Sequence, residues 1–153
     1  MKRISFIITI SVLLFFSNCQ KLLVEIDSRK YDGEWELVEV VTDEYDNTNS
    51  IINTTSTPAV GKLKLYRDGF FEPDSIADLS AFERAVWSAN SKGKGAFIYF
   101  GVNEKAYDPN FDKRADVLSK SKKEMELSFH SYNSNNNISE RRRYKFKHIG
   151  ELK

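Results

Sequence analysis

Apolar and polar residues alternate with a period of two along most of this chain, the pattern of half-buried β-strands. Residues 34–42 form a first strand with Trp35 and Leu37 on one face. The phase then changes as Val38 and Val40 take over, so a bulge or sharp bend is expected inside the strand. Residues 45–58 are polar and rich in Asn, Thr and Ser, and read as a loop. Lys62, Leu63, Lys64, Leu65 and Tyr66 alternate again, Arg67-Asp68-Gly69 turns the chain, and Phe70-Phe71 begins a return strand. Within 80–89 the rhythm breaks. Ser80 and Glu83 make a capping box, and Phe82, Ala85, Val86 and Ala89 recur at helical spacing, which predicts a short helix. In the competing reading of this stretch, Trp87 opens a strand toward a turn at Lys92-Gly93-Lys94-Gly95.

Residues 96–102 are apolar on both faces and read as an inner strand, with Phe97 and Tyr99 assigned inward. Residues 113–119 and 124–132 form a hairpin. Its second arm alternates cleanly, with Met125, Leu127 and Phe129 inward and Glu124, Glu126, Ser128 and His130 outward. After a polar loop at 133–139, residues 140–149 close the chain as a strand. Tyr144, Phe146 and His148 share one face of it, and Arg143, Lys145 and Lys147 the other. The fold class is therefore all-β: an antiparallel, seven- or eight-stranded up-and-down barrel with one short inserted helix, closure being the usual way to hide strand edges.

The N-terminus follows a different pattern. Met1-Lys2-Arg3 is basic, residues 4–16 are apolar apart from Ser5, Thr9 and Ser11, and Ser17-Asn18 lead into Cys19, the only cysteine. This is a secretory leader, too short to span a bilayer. With the cysteine placed first after cleavage, it resembles a bacterial lipoprotein signal, although Phe16 and Asn18 replace the commoner leucine and small residue. The resemblance implies lipidation of Cys19, a tether over 19–32 and a barrel domain over 33–150. Gln20 after the cysteine implies sorting to the outer membrane, on its periplasmic side.

Gly33-Glu34-Trp35, about a dozen residues after that cysteine, is similar to the G-x-W of the short lipocalin-like lipoproteins of Gram-negative bacteria. The Asp68-Gly69 hairpin and a last strand near the C-terminus extend the likeness over most of residues 30–149. The likeness implies that Trp35 packs across the closed end of the barrel under a basic residue from the last strand, a contact contributing on the order of 1 kcal/mol. The chain departs from the family pattern in two places: Arg141, Arg142 and Arg143 start that strand instead of ending it, and the T-D-Y turn is absent.

Removing residues 1–18 leaves 21 basic and 22 acidic side chains on 135 residues. One domain with a real core is expected, and the neutral balance argues against a nucleic-acid partner. No intrachain disulfide is possible, so stability must come from burial. No catalytic constellation, cofactor motif or metal-ligand spacing is recognisable, and the chain does not read as an enzyme. Asp43, Glu44 and Asp46 with Asn47 and Asn49 lack the order of a calcium loop and read as a solvated loop. The Arg141-Arg142-Arg143 run reads as protection of an edge strand, and His148 as a half-buried rim group. Asp74-Ser75-Ile76 resembles a bacterial D-[ST]-aliphatic O-glycosylation signal at Ser75.

Two functions from different classes follow. In the first, Trp35, Leu65, Phe97, Tyr99, Met125, Leu127, Phe129, Tyr144 and Phe146 line a cavity for a small apolar or amphipathic ligand. Its mouth would be shaped by residues 45–58, 80–89 and 133–139. In the second, the barrel is filled and the domain presents its surface to another envelope protein. Eight strands enclose either packed side chains or one small ligand. The scarcity of small inward residues tilts the expectation toward a filled interior, while the lipocalin likeness implies the first function, ligand binding, with the second as its alternative.

Overall fold

The computed structural model describes residues 29–82, 85–90, 96–101 and 113–152. The leader, Cys19 and the turn at Lys92-Gly93-Lys94-Gly95 lie outside these residues. Eight antiparallel strands close into an up-and-down barrel in chain order. They are β1 (Gly33–Tyr45), β2 (Ile51–Leu65), β3 (Phe70–Asp74), β4 (Ala85–Asn90), β5 (Ala96–Gly101), β6 (Lys113–Lys120), β7 (Glu124–Tyr132) and β8 (Ile138–Gly150). The barrel closes where β1 pairs with β8, from Glu34↔Gly150 to Glu44↔Glu140.

The phase change in β1 is a bulge. The ladders of β1 with both β2 and β8 shift between Leu37 and Glu39: against β8 Val38 is the extra residue, and against β2 Ala59 and Val60 together stand opposite it. Below the bulge Trp35 and Leu37 face the interior. Above it the inward set becomes Val40 and Thr42, opposite the inward Tyr144 and Arg142. A one-residue insertion thus lets a strand of uneven pattern bury apolar side chains at both ends.

Two hairpins extend the barrel where a loop was expected. Of residues 45–58 only 46–50 are a connecting turn: β1 runs to Tyr45 and β2 starts at Ile51. The turn between them is organised by Asp46, whose Oδ1 accepts from the Thr48 N–H (2.8 Å), the Thr48 hydroxyl (2.7 Å) and the Ser50 N–H (2.9 Å). Asn49 completes it at φ +59°. Asn133 builds a matching turn between β7 and β8, accepting from the N–H groups of Asn135 and Asn137, with Asn136 at φ +60°. Polar composition marked these segments as loops. Residues 46–50 and 133–137 are indeed turns, but 51–58 are strand whose side chains meet solvent, and their Ile and Thr content suits extended backbone.

The expected helix over 80–89 is also overturned. Its second half is β4, paired with β3 through Phe70↔Val86 and with β5 through Trp87↔Phe100. A single 3-10 turn, Ala77–Leu79, precedes it. Ser80 does not cap a helix forward; its hydroxyl donates backward to the Ala77 carbonyl at 2.8 Å. Ala85, Val86, Trp87, Ser88 and Ala89 are all buried. A run buried on both faces has no clean period, and pairing on two sides decided the conformation.

The interior holds one cluster including Trp35, Leu65, Phe71, Trp87, Phe100, Leu127, Phe129 and Tyr144, each nearly inaccessible. Full burial of each such side chain contributes about 1.5–3 kcal/mol. At the end where the chain enters and leaves, Gly33 adopts φ +132°, and a Cβ there would lie 2.5 Å from His148 Nε2. Replacing Gly33 with Ala should therefore lower stability by at least about 1–3 kcal/mol from backbone strain alone. Urea unfolding followed by the fluorescence of buried Trp35 and Trp87 measures this; an unchanged midpoint would contradict it.

Candidate functional site

Three places in the barrel concentrate chemistry, and the first is the end around Trp35. Its indole Nε1–H donates to the Tyr31 carbonyl at 2.9 Å. The His148 ring meets it edge-on, with centroids 4.8 Å apart, and the Lys120 ammonium lies 4.6 Å above the indole. The base over the indole thus comes from the end of β6, while the last strand supplies an imidazole. Burial depresses the Lys120 pKa, with Asp32 partly opposing it. The His148 N–H donates to the Lys123 carbonyl at 2.8 Å, which ties β8 to the β6–β7 turn. Close packing of His148 against the backbone accounts for the glycine two residues before the tryptophan.

The second place is the interior. Leu65, Met125, Leu127, Phe129, Tyr144 and Phe146 face inward as expected and are buried. Phe97 and Tyr99 do not: the inward residues of β5 are Ile98 and Phe100. Phe97 and Tyr99 lie on the outer face, ring against ring at 5.6 Å, with the Arg114 guanidinium 4.1 Å from the Phe97 centroid. A strand apolar on both faces carries no phase, and the pairing with β4 and β6 set it. Inside, rings run in sequence from Phe82 to Phe71 (5.5 Å), Phe100 (4.8 Å), Phe129 (6.1 Å) and Tyr144 (5.6 Å). These separations are those of rings in direct contact.

The interior ends in a polar group. The Tyr144 hydroxyl donates to Asp78 Oδ2 at 2.8 Å, Arg142 Nη1 lies 3.5 Å from the same oxygen, and Lys113 Nζ lies 4.0 Å from Asp78 Oδ1. Asp78 belongs to the 3-10 turn, whose neighbours Ile76, Leu79 and Phe82 are buried in the core. The turn therefore covers this end with apolar side chains and one carboxylate. Burial, assisted by the bond to Asp78, pushes the Tyr144 hydroxyl up to about 12.

The third place, on the outer face, was not anticipated. Asp43 is 1% exposed and accepts from Arg141 Nη2 at 2.8 Å, Arg143 Nε at 3.1 Å and the Thr54 hydroxyl at 2.9 Å. Burial pushes its carboxyl up, but the bonds from Arg141, Thr54 and Arg143 outweigh this and hold it below the usual carboxylate range. Glu39 bonds Lys145 at 2.7 Å and the Ser56 hydroxyl, and Arg143 Nη1 reaches Glu126 at 3.6 Å. The arginine run is therefore not edge protection, because β8 is paired on both sides. Arg141 and Arg143 join β1 to β8 outside the barrel, and Arg142 points inside. The acidic group at 43–46 divides likewise, Asp43 to the arginines and Asp46 to its turn. The sequence contained the signal: acids at 39 and 43 share a strand face, as do bases at 141, 143 and 145, once the first and last strands are taken as neighbours.

Ser128, His130 and Asp116 also approach one another on the outer face. Ser128 Oγ is 3.2 Å and Asp116 Oδ2 3.7 Å from His130, but both face the same nitrogen, Nε2. A nucleophile relay needs the two ring nitrogens in separate roles, and Ser128 is fully buried. Among the described residues no group of three His, Cys, Asp or Glu could hold a metal ion. A cleft of about 440 Å3 beside the 3-10 turn is lined by Pro73, Asp74, Ser75, Ile76, Ala77, Ser80 and Phe82, and it is not the barrel interior. Ser75 is exposed at φ +58° and donates to Asp74 Oδ1, whereas Ile76 is buried.

The chain matches no family model and no curated protein.

Two substitutions test these clusters. Asp43→Asn leaves Arg141 and Arg143 facing each other over a neutral amide and should cost about 3 kcal/mol, the low end for breaking a buried pair because both arginines reach solvent. Because the Asp43 pKa is depressed, its stabilisation is present above the ordinary value near 3.9 and is lost as pH falls below it. The gap between wild type and variant in urea midpoint should close on acidification; a constant gap would contradict the assignment. The raised Tyr144 pKa acts oppositely, so its contribution is complete below pH about 10 and declines as pH rises through about 12. The wild-type advantage over Tyr144→Phe should shrink across that alkaline window, and a widening gap would refute the Asp78 bond.

Proposed function

We propose that this chain is a lipid-anchored envelope barrel that works through its surface, as an accessory or scaffold subunit, and not as a carrier of a small ligand. The observation that carries this reading is the packed interior. Among the described residues, the inward side chains that a ligand would touch, from Leu65 to Phe129 and Phe146, belong to one packed cluster with Trp35 at one end and the 3-10 turn at the other. Side chains packed against one another in an eight-stranded barrel leave little contact surface for a ligand. The capped Trp35 end supports the likeness to lipocalin-like lipoproteins, and the leader ending at Cys19 supports attachment to the outer membrane on its periplasmic side.

The carrier reading keeps one supporting observation. Tyr144, Arg142 and Lys113 converge on Asp78 at the upper end, where the carboxylate of an amphipathic ligand could take the place of Asp78 if the turn moved aside.

Native mass spectrometry of the gently extracted full chain separates the two. The expected result is the lipidated polypeptide with no co-purifying lipid or metabolite, and a Phe129→Ala variant that is less stable by about 3–5 kcal/mol with no binding to lose. A stoichiometric small molecule released on denaturation would reverse the choice. The same spectrum reads any glycan on Ser75 as added mass. Cys19→Ala should move the mature protein from the membrane to the soluble fraction, since several acyl chains at about 0.8 kcal/mol per buried methylene supply the anchorage. Retention of that variant through a salt wash would refute lipid attachment.

A further inference from the structure

The barrel is closed, yet one length of strand is left with a free side. β2 pairs with β1 along nearly all of its length, but it pairs with β3 only from Lys62 to Leu65. Gly61 marks the separation: a Cβ there would lie 2.6 Å from the Asp74 carbonyl, where β3 ends. Beyond it residues 51–60 form the outer arm of the sheet, with β1, β8 and β7 following in order on its paired side. Ile51, Ile52 and Val60 are 50, 64 and 88% exposed.

The register shows which backbone groups are free. Pro58 stands opposite Glu39 and has no N–H, so this position is not hydrogen-bonded to β1. By alternation Asn53, Thr55 and Thr57 bond to β1, while Ile52, Thr54 and Ser56 direct both N–H and C=O away from it. Among the described residues no strand takes up these groups. Natural edges of this kind usually carry Lys or an inward charge. Residues 51–61 carry no charge at all, in a chain that is 29% charged.

That neutrality says what can lie there. Antiparallel pairing of a strand with its own copy sets the segment against itself, and any charge near the axis would face its like. A two-fold axis at Thr54 sets Thr54 against Thr54, Ile52 against Ser56 and Asn53 against Thr55. The free groups of Ile52, Thr54 and Ser56 then all bond across the joint without using Pro58, which ends the match on either side. We infer that the edge of β2 is a self-association site, at which two copies join their arms antiparallel about Thr54, so that the sheets of the two barrels run on into each other. The inference rests on the surface-acting reading above and names a second copy of this chain as the partner. The contact is isologous, so it closes at two and cannot propagate into a fibre.

Cysteine cross-linking of the full chain in membranes tests this. Hydrogen-bonded antiparallel partners have Cα atoms about 5.5 Å apart, within disulfide reach. Thr54→Cys should give a disulfide dimer under mild oxidant, as should Ile52→Cys combined with Ser56→Cys, which leaves the Thr54–Asp43 bond intact. Wild type, with Cys19 alone, and Ser119→Cys on the exposed end of β6 should stay monomeric. Adding Ser56→Pro, which removes an outward N–H, should abolish the Thr54→Cys dimer. Absence of dimer from both arm variants, or equal dimer from Ser119→Cys, would overturn the inference. Neither result bears on whether a ligand co-purifies, so failure of the joint and failure of the surface-acting reading are separately visible.

Discussion

Closure of the sheet depends on β1, which must pair with β2 on one side and β8 on the other over most of its length. A strand of that length cannot follow a small barrel without bending. The Val38 bulge provides the bend, and it also moves the inward phase from Trp35 and Leu37 to Val40 and Thr42. Without the shift, Val40 would face solvent and Glu39 would face Tyr144. The bulge likewise puts Glu39 and Asp43 on the outer face, opposite Lys145, Arg143 and Arg141. One extra residue thus determines both the apolar lining and the ionic seam that holds the closing pair together.

The two sides of this closing pair contribute differently. Inside, aromatic side chains stabilise by burial and fix which face of each strand turns inward. Outside, Asp43 is held by two arginines from alternate positions of β8, so slipping β8 by one residue would swap Arg142 outward and leave Asp43 short of donors. A buried, doubly paired carboxylate adds little net stability over an apolar substitute, but it is costly to break, so it discriminates between registers. The Trp35 end works similarly: Gly33, His148 and Lys120 come from three strands and fit only when the first and last strands are aligned.

Much of this was legible in the sequence, and the exceptions share a cause. β7 and β8 were readable because each has one wet and one dry face, so the alternation states the phase outright. β5 has two apolar faces, and so Phe97 and Tyr99 were assigned inward although Ile98 and Phe100 hold that place. β4 is buried on both faces, and a chance helical spacing filled the gap in its signal. The arm of β1 and β2 failed in the opposite sense: with both faces wet, residues 51–58 have no alternation and read as loop. Asp43 was missed because its partners lie 98 and 100 residues away, and only the closed topology brings them together. Periodicity reports a strand when its two faces differ, and this barrel has three stretches where they do not.

Whether the interior is filled separates a surface-acting barrel from a carrier, and xenon probes it most directly. Xenon enters dry apolar cavities that water avoids. Crystals of the protein under xenon pressure should show no xenon site inside the barrel. A well-occupied site among Phe100, Phe129 and Tyr144 would reveal room for a ligand and contradict the account.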